Sequence, residues 1–233
     1  MIAGAALATL IVVVYVVAAA RVRWRADRTA CFVAGMVALG ASAAIGDRPL
    51  AAHMAEHSAI VAVAAPLIVL GAPLALALRT LPEASSAVLL ALLRSRAVRT
   101  LTHPAFAWPL FVGVQWVVHL TPLIDVGEGR PLLHAVEHAA LFWTAILFWL
   151  PVIGRNPIPR PLRGWERSVY LFAAAPALDL VGALLISGGH RAAGVAMLAG
   201  MLPVALAAVA VTWEWLVREE RRAARLEAWH GAG

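Results

Sequence analysis

Two stretches of this 233-residue chain carry the same chemical pattern, His53-Met54-Ala55-Glu56-His57 and His134-Ala135-Val136-Glu137-His138, and each opens a long apolar segment. Histidines at i and i+4 lie on one face of an α-helix, so each stretch offers a pair of imidazoles one turn apart. Imidazole is the commonest protein ligand for a transition metal, and polar groups at the edge of a membrane are costly enough that they usually have a task. Two matching pairs point to one shared metal site.

Other polar residues could join them. Gln115, Trp116 and His119 fall in the last turns of an apolar segment that ends at Pro122, and Asp179 lies deeper within another. An intramembrane carboxylate is by default functional or paired. Glu56 and Glu137 have three readings, all open at this level: partners that orient imidazoles, direct ligands, or interfacial carboxylates beside a helix N-terminus. Met54, Met197 and Met201 can approach the same half of the chain; thioethers favour cuprous copper over zinc, although methionine is also a routine core filler. Imidazole with optional thioether points to copper ahead of zinc or iron.

The elements that must position these groups follow from composition. With 62% hydrophobic and 14% charged residues and a mean hydropathy of +0.83, the chain reads as a polytopic membrane protein. A window of bilayer-spanning length finds seven candidate spans. They run from Gly4 to Ala20, Thr29 to Ile45, His53 to Leu74, Phe106 to Leu123, Leu132 to Ile153, Ser168 to Ser187 and Ala192 to Val217. Prolines at 66, 73, 109, 151, 176 and 203 fall within or at the ends of these spans, which membrane bundles tolerate as kinks.

All nineteen basic residues are arginine. Four follow each odd-numbered span (21, 23, 25 and 28; 79, 94, 96 and 99; 155, 160, 163 and 167; 218, 221, 222 and 225), whereas the other loops hold only Arg48, Arg130 and Arg191. By the positive-inside rule the N-terminus is outside and the C-terminus cytoplasmic, which requires an odd number of spans. The expected fold is therefore all-α: one domain over residues 1–233, a bundle of seven transmembrane helices, with a cytoplasmic helical tail from residue 218. The 76–102 loop has apolar periodicity around Ala87 to Leu93 and predicts a short interfacial helix.

Topology then assigns depth. Spans three and five run inward from their histidine pairs, and span four runs outward to His119. His53, His57, His119, His134, His138 and His190 are all expected on the outer side, with His103 and His230 the exceptions. Trp116, Trp143 and Trp149 are expected inside the bundle, and Trp24, Trp165, Trp213 and Trp215 in a cytoplasmic aromatic belt.

The same features exclude other classes. Cys31 is the only cysteine, so there is no intramolecular disulfide framework and no Cys-x-x-Cys metal clip. Basic clusters fall where topology alone puts them, which argues against nucleic-acid binding. The segment Ile2 to Ala20 lacks a positive n-region and is followed by arginines, the charge order of an uncleaved first span.

At these residues the chain resembles the CtaG-type cytochrome c oxidase assembly factors. The likeness rests on His53-Met54-x-x-His57 followed by Ala65-Pro66-Leu67-Ile68-Val69-Leu70-Gly71-Ala72-Pro73, on His103-Pro104 with Trp116-x-x-His119-x-x-Pro122, on His134-x-x-Glu137-His138 leading to Phe148-Trp149-x-Pro151-Val152, and on Ala193-Gly194-x-x-Met197. It departs where the family often has an Asp-Gln pair and this chain reads His190-Arg191. The resemblance implies a multi-pass, non-enzymatic protein of the bacterial plasma membrane that helps assemble an active haem-copper oxidase. Its implied partners are the oxidase subunit carrying the haem-copper centre, a copper-donor protein and membrane lipid. The implied metal positions are His53, His57, His119, His134 and His138, for copper or alternatively zinc; Glu56, Glu137, Asp179, Met54 and Met197 are supporting residues or further ligands.

Two other functions compete. His-x-x-Glu-His is also the inverted zinc-protease pattern, which makes an intramembrane metallopeptidase one alternative; that enzyme needs one motif with a singled-out glutamate, and here the two copies are alike. A haem-binding electron carrier is the other, although i, i+4 pairs at helix ends suit a compact ion better than a macrocycle.

Overall fold

The computed structural model describes residues 2–43, 49–120 and 131–230, and within them the chain is all-helical. Arg48, Pro122 and Arg130 lie outside the described residues. Helices α1 (Ile2–Arg21) and α2 (Ala26–Ala43) are followed by a broken rod. It consists of α3 (Leu50–Ala59), a π-helical turn (Ile60–Ala64), α4 (Ala65–Leu70) and α5 (Pro73–Thr80). Then come α6 (Glu83–Leu93) and α7 (Arg96–Leu101), which fill the segment where an interfacial helix is expected, and α8 (Pro104–Leu120). The chain closes with α9 (Pro131–Ile153), α10 (Trp165–Ser187), α11 (Arg191–Gly200) and α12 (Leu202–His230).

Among the described residues, four stretches are long and apolar enough to cross a membrane: Leu50–Thr80, Leu132–Ile153, Trp165–Ser187 and Arg191–Trp229. Ala6–Arg21, Glu83–Leu93 and Pro104–Leu120 are shorter apolar helices. Together they make this a membrane protein.

The rod is the axis of the bundle, and its two irregularities have covalent causes. Pro66 has no N–H, and its ring would collide with the Ala62 carbonyl in a regular α-helix. The chain widens to the π register instead, with the Ala65 N–H bonded to the Ile60 carbonyl. In that register the Val61 carbonyl would look to residue 66, which has nothing to donate. The indole Nε1–H of Trp149 donates to it instead, at 2.9 Å, and ties the rod to α9. At the second break Ala72 adopts a left-handed conformation (φ 54°) ahead of Pro73. Here side chains again serve the carbonyls of the break: Asn156 Nδ2 donates to Val69 (3.1 Å), which also accepts from the Ala72 N–H (3.0 Å), Arg155 Nη1 donates to Leu70 (3.3 Å) and the Tyr15 hydroxyl to Gly71 (2.7 Å). The Leu74 N–H donates to Asn156 Oδ1 at 3.2 Å, so one side chain repairs both sides of the break.

The main core joins the π turn, α8, α9, α10 and α12 around Phe111, Leu141, Phe148, Leu171 and Leu178, with the rings of Phe111 and Phe148 tilted against each other at 4.5 Å. A second cluster packs α1 and α2 against α4 and α5 through Tyr15, Phe32, Met36 and Ile68. Burial on α9 recurs at Leu141, Ala145, Phe148 and Val152, one helical stripe. Trp143 falls opposite that stripe and is 62% exposed, which corrects the expectation that it packs inside the bundle. Trp149 is buried, and Trp116 donates its indole N–H to the Ala177 carbonyl at 2.9 Å, joining α8 to α10.

Candidate metal centre

The first turns of α3 and α9 face each other across a gap. Helix α9 packs closely on the π turn and α4 and draws away from α3, so the backbones part where the two His-x-x-Glu-His motifs stand. Side chains fill the space. Ring centroids within each motif are nearly identical in separation, 4.1 Å for His53 and His57 and 4.0 Å for His134 and His138. Across the gap, His53 lies 5.3 Å from His134, and His57 lies 5.0 Å from His138.

The carboxylates cross over. Glu137, on α9, sets Oε1 3.5 Å from Nε2 of His57 and 3.8 Å from Nε2 of His53, both on α3. Glu56, on α3, sets Oε1 3.7 Å from Nδ1 of His138 on α9. The helix explains this exchange: within one motif Glu at i+3 and His at i+4 diverge by about 100°, so each glutamate turns toward the partner helix. Potential ligand atoms of His53, Glu56, His134 and His138 lie within 4.8 Å of one another, as do those of His53, His57 and Glu137.

His119 stands behind His57. Its Nε2 is 3.1 Å from Nδ1 of His57, and its Nδ1 is 2.7 Å from the Gln115 carbonyl. A carbonyl only accepts, so Nδ1–H of His119 donates to it. With His119 neutral, its Nε2 accepts from Nδ1–H of His57, and Nε2 of His57 is left as a bare lone pair aimed at Glu137. That atom is buried and has no hydrogen-bond partner among the described residues, and the same holds for Oε1 of Glu137 and Nε2 of His138. Buried polar atoms left without partners are rare in folded proteins, and here three converge on one gap. Imidazole nitrogens and carboxylate oxygens at these separations fit a divalent transition metal.

The remaining predicted site residues stand elsewhere. Met54 and Met197 are buried together with Val181, Leu185 and Ala193, in an apolar cluster between α3, α10 and α11. Met201 belongs to the main core. Asp179 is exposed on α10, beside the buried Leu178. His190 precedes α11 at its N-terminus. The donors brought together are therefore nitrogen and oxygen, without sulfur.

Close helix approaches hold α3 in place. Glycines 182 and 194 let α10 and α11 touch: a Cβ on Gly182 would meet Leu198 Cγ at 2.8 Å, and one on Gly194 would overlap the Gly182 carbonyl. Helix α11 in turn packs on α3, where Gly200 lies directly against Ser58, the neighbour of His57. Neither Ser58 nor Asn156 carries a motif signal in the sequence, but Asn156 is the only asparagine and Gln115 the only glutamine in the chain. The Asn156 amide bridges a break in the backbone, whereas the Gln115 side-chain amide is buried without a hydrogen-bond partner among the described residues.

Comparison with known proteins bears on the same residues. The chain is 30% identical over 242 aligned residues to an uncharacterised protein of Mycobacterium bovis and, equally, to one of Mycobacterium tuberculosis; each alignment covers 89% of this chain and 36% of the relative. A Mycobacterium leprae protein is 28% identical over 251 residues, covering 91% of this chain and 38% of its own. The chain thus spans little more than a third of the length of the curated relatives it matches. No solved structure matches it. A model of the cytochrome c oxidase caa3 assembly factors matches residues 13–218, a range that takes in both His-x-x-Glu-His motifs, His119, the Pro66 turn and its Trp149 tether. The chain belongs to the cytochrome c oxidase caa3 assembly factor family.

Proposed function

We propose that the chain is a non-enzymatic membrane assembly factor for a haem-copper cytochrome c oxidase, one that holds copper between α3 and α9 and assists its delivery to the oxidase subunit carrying the haem-copper centre. One observation carries the reading: two repeats of one motif, from separate helices, turn their carboxylates onto each other's histidines and leave His57 Nε2, Glu137 Oε1 and His138 Nε2 without hydrogen-bond partners among the described residues. Family membership supplies the oxidase. In this reading the chain crosses a bacterial plasma membrane seven times with its N-terminus outside, as the arginine distribution requires, and the copper site opens to the outer face. Nitrogen and oxygen donors favour cupric over cuprous ion, which makes zinc the natural competitor.

The peptidase alternative draws no support from the site. An inverted zinc-protease motif keeps its glutamate as a base beside the ion held by its own histidines. Here Glu137 lies against the histidines of the other motif.

The test is metal analysis of the purified chain, combined with oxidase activity in cells carrying His57→Ala or His138→Ala. The reading expects copper in the wild type, less copper in the variants, and an oxidase deficient in copper. Metal-free protein after copper loading, with full oxidase assembly in both variants, would overturn it.

A further inference from the structure

Two matching histidine pairs suggest one ion shared between them. The geometry points to two. We propose that the cluster is a dinuclear centre for divalent copper or zinc: one ion held by His53, His57 and Glu137, the other by His134, His138 and Glu56. This rests on the metal-binding reading above and deepens it.

Three observations carry the inference. First, the six donors exceed the four that a copper or zinc ion takes in such sites, and they do not form one compact set. They fall into two groups that have only His53 in common. Second, each set is complete in kind: two imidazoles from one motif and one carboxylate from the other. The two sets are related by exchange of α3 and α9, as the matched ring separations of 4.1 and 4.0 Å show. Third, buried atoms without hydrogen-bond partners occur on both sides, His57 Nε2 and Glu137 Oε1 in one set and His138 Nε2 in the other. His57 is 1% exposed and its bare nitrogen points at Glu137 Oε1, 3.5 Å away.

The arrangement has a functional consequence. Three ligands per ion leave an open position on each, the state that permits ligand exchange. A pair of ions held this way can be passed on without first unfolding the site. The mirrored sets also give neither ion a privileged helix, so both leave by the same gap between α3 and α9.

The experiment uses the full chain in detergent, saturated with cupric ion, or separately with zinc ion, and freed of excess metal. Metal per protein is measured by mass spectrometry, and the cupric form by electron paramagnetic resonance. Expected are two ions per wild-type chain and a spin-coupled cupric signal. Glu137→Gln and Glu56→Gln should each keep one ion and give an uncoupled mononuclear signal. One ion in the wild type overturns the dinuclear assignment and leaves the metal-binding reading standing; no ion overturns both. Two ions retained in both variants, or both lost in either variant while its elution profile and helical circular dichroism stay native, also overturn the assignment of ligands to separate ions.

Discussion

Replacing Trp149 by Phe removes the one donor that serves the Val61 carbonyl from outside the rod. Both groups are buried: Trp149 is 3% exposed and Val61 1%. Interhelical hydrogen bonds in membrane proteins average about 0.6 kcal/mol and reach about 1.7, because a broken bond usually finds another partner. Val61 has little recourse. The N–H of Ala65 is engaged by Ile60, residue 66 is proline, and a return to the α register would drive the Pro66 ring into the Ala62 carbonyl. The cost of the lost bond should therefore lie near the upper end, about 1.5 kcal/mol, in the range for stranding a buried acceptor. The smaller ring also leaves a cavity, so the single variant cannot isolate the bond. Pro66→Ala can: it restores an N–H that can serve Val61 in the π register, and in that background Trp149→Phe should retain the cavity cost but lose about 1 kcal/mol of the rest. Equilibrium unfolding in mixed micelles, followed by far-ultraviolet circular dichroism, measures all four proteins. Strict additivity would show that Pro66 does not create the vacancy that Trp149 fills, and the account of the π turn would fail.

His119→Ala should weaken copper binding about 10- to 100-fold without changing the number of ions bound, since His119 acts by orienting His57; competition against a chromophoric chelator reads the affinity, and loss of an ion would make His119 a ligand instead. Gly200→Ala should destabilise the fold by about 1–3 kcal/mol through overlap with Ser58. Adding Ser58→Gly to that variant should recover most of the loss, and failure of this rescue in micelle unfolding would refute the contact. Asn156→Leu strands the Leu74 N–H, while the Val69 carbonyl keeps its bond from the Ala72 N–H, and should cost about 1–3 kcal/mol, the range for one buried group. Hydrogen exchange should then localise the loosening to the Ala72 break; protection unchanged there would show that Asn156 is not what repairs it. Asp179→Asn should leave metal content at the wild-type level, because Asp179 is exposed on α10 and belongs to neither donor group; a lost ion would place it in the centre.

How much of this could be read from residues alone depends on the kind of interaction. That each motif pairs its histidines on one helix face was legible because helical periodicity is local: i and i+4 share a face whatever the tertiary fold. The crossing of Glu56 and Glu137 was not, because it depends on how far apart α3 and α9 stand, and spacing along one chain does not encode the distance between helices. His119 was singled out by its polar neighbours, but its contact with His57 is made at 3.1 Å across 62 residues of sequence. Met54 shows the opposite limit. It adjoins His53 and lies two residues before Glu56, yet its side chain turns about 100° away from His53 and packs with Met197 in an apolar cluster. Adjacency in sequence on a helix means divergence in space, and an argument for sulfur ligation from proximity alone fails for that reason.

The prolines connect the fold to the site. In a soluble protein Pro66 and Pro73 would end the helix, and in this one the breaks are kept because other side chains answer the carbonyls they free. Those answers come from residues far along the chain, Trp149 at the first break and Asn156 at the second, both at the C-terminal end of α9 or just beyond it. Helix α9 is thereby fixed to the rod by directional bonds below the site and left without close backbone contact beside α3 above it. A uniformly packed pair of helices would close the gap with apolar side chains, and the two motifs would lie on separate surfaces. Anchoring one end and parting the other is what gives four imidazoles and two carboxylates a common space, so the proline-bearing segments are as much part of the candidate metal centre as the histidines they precede or follow.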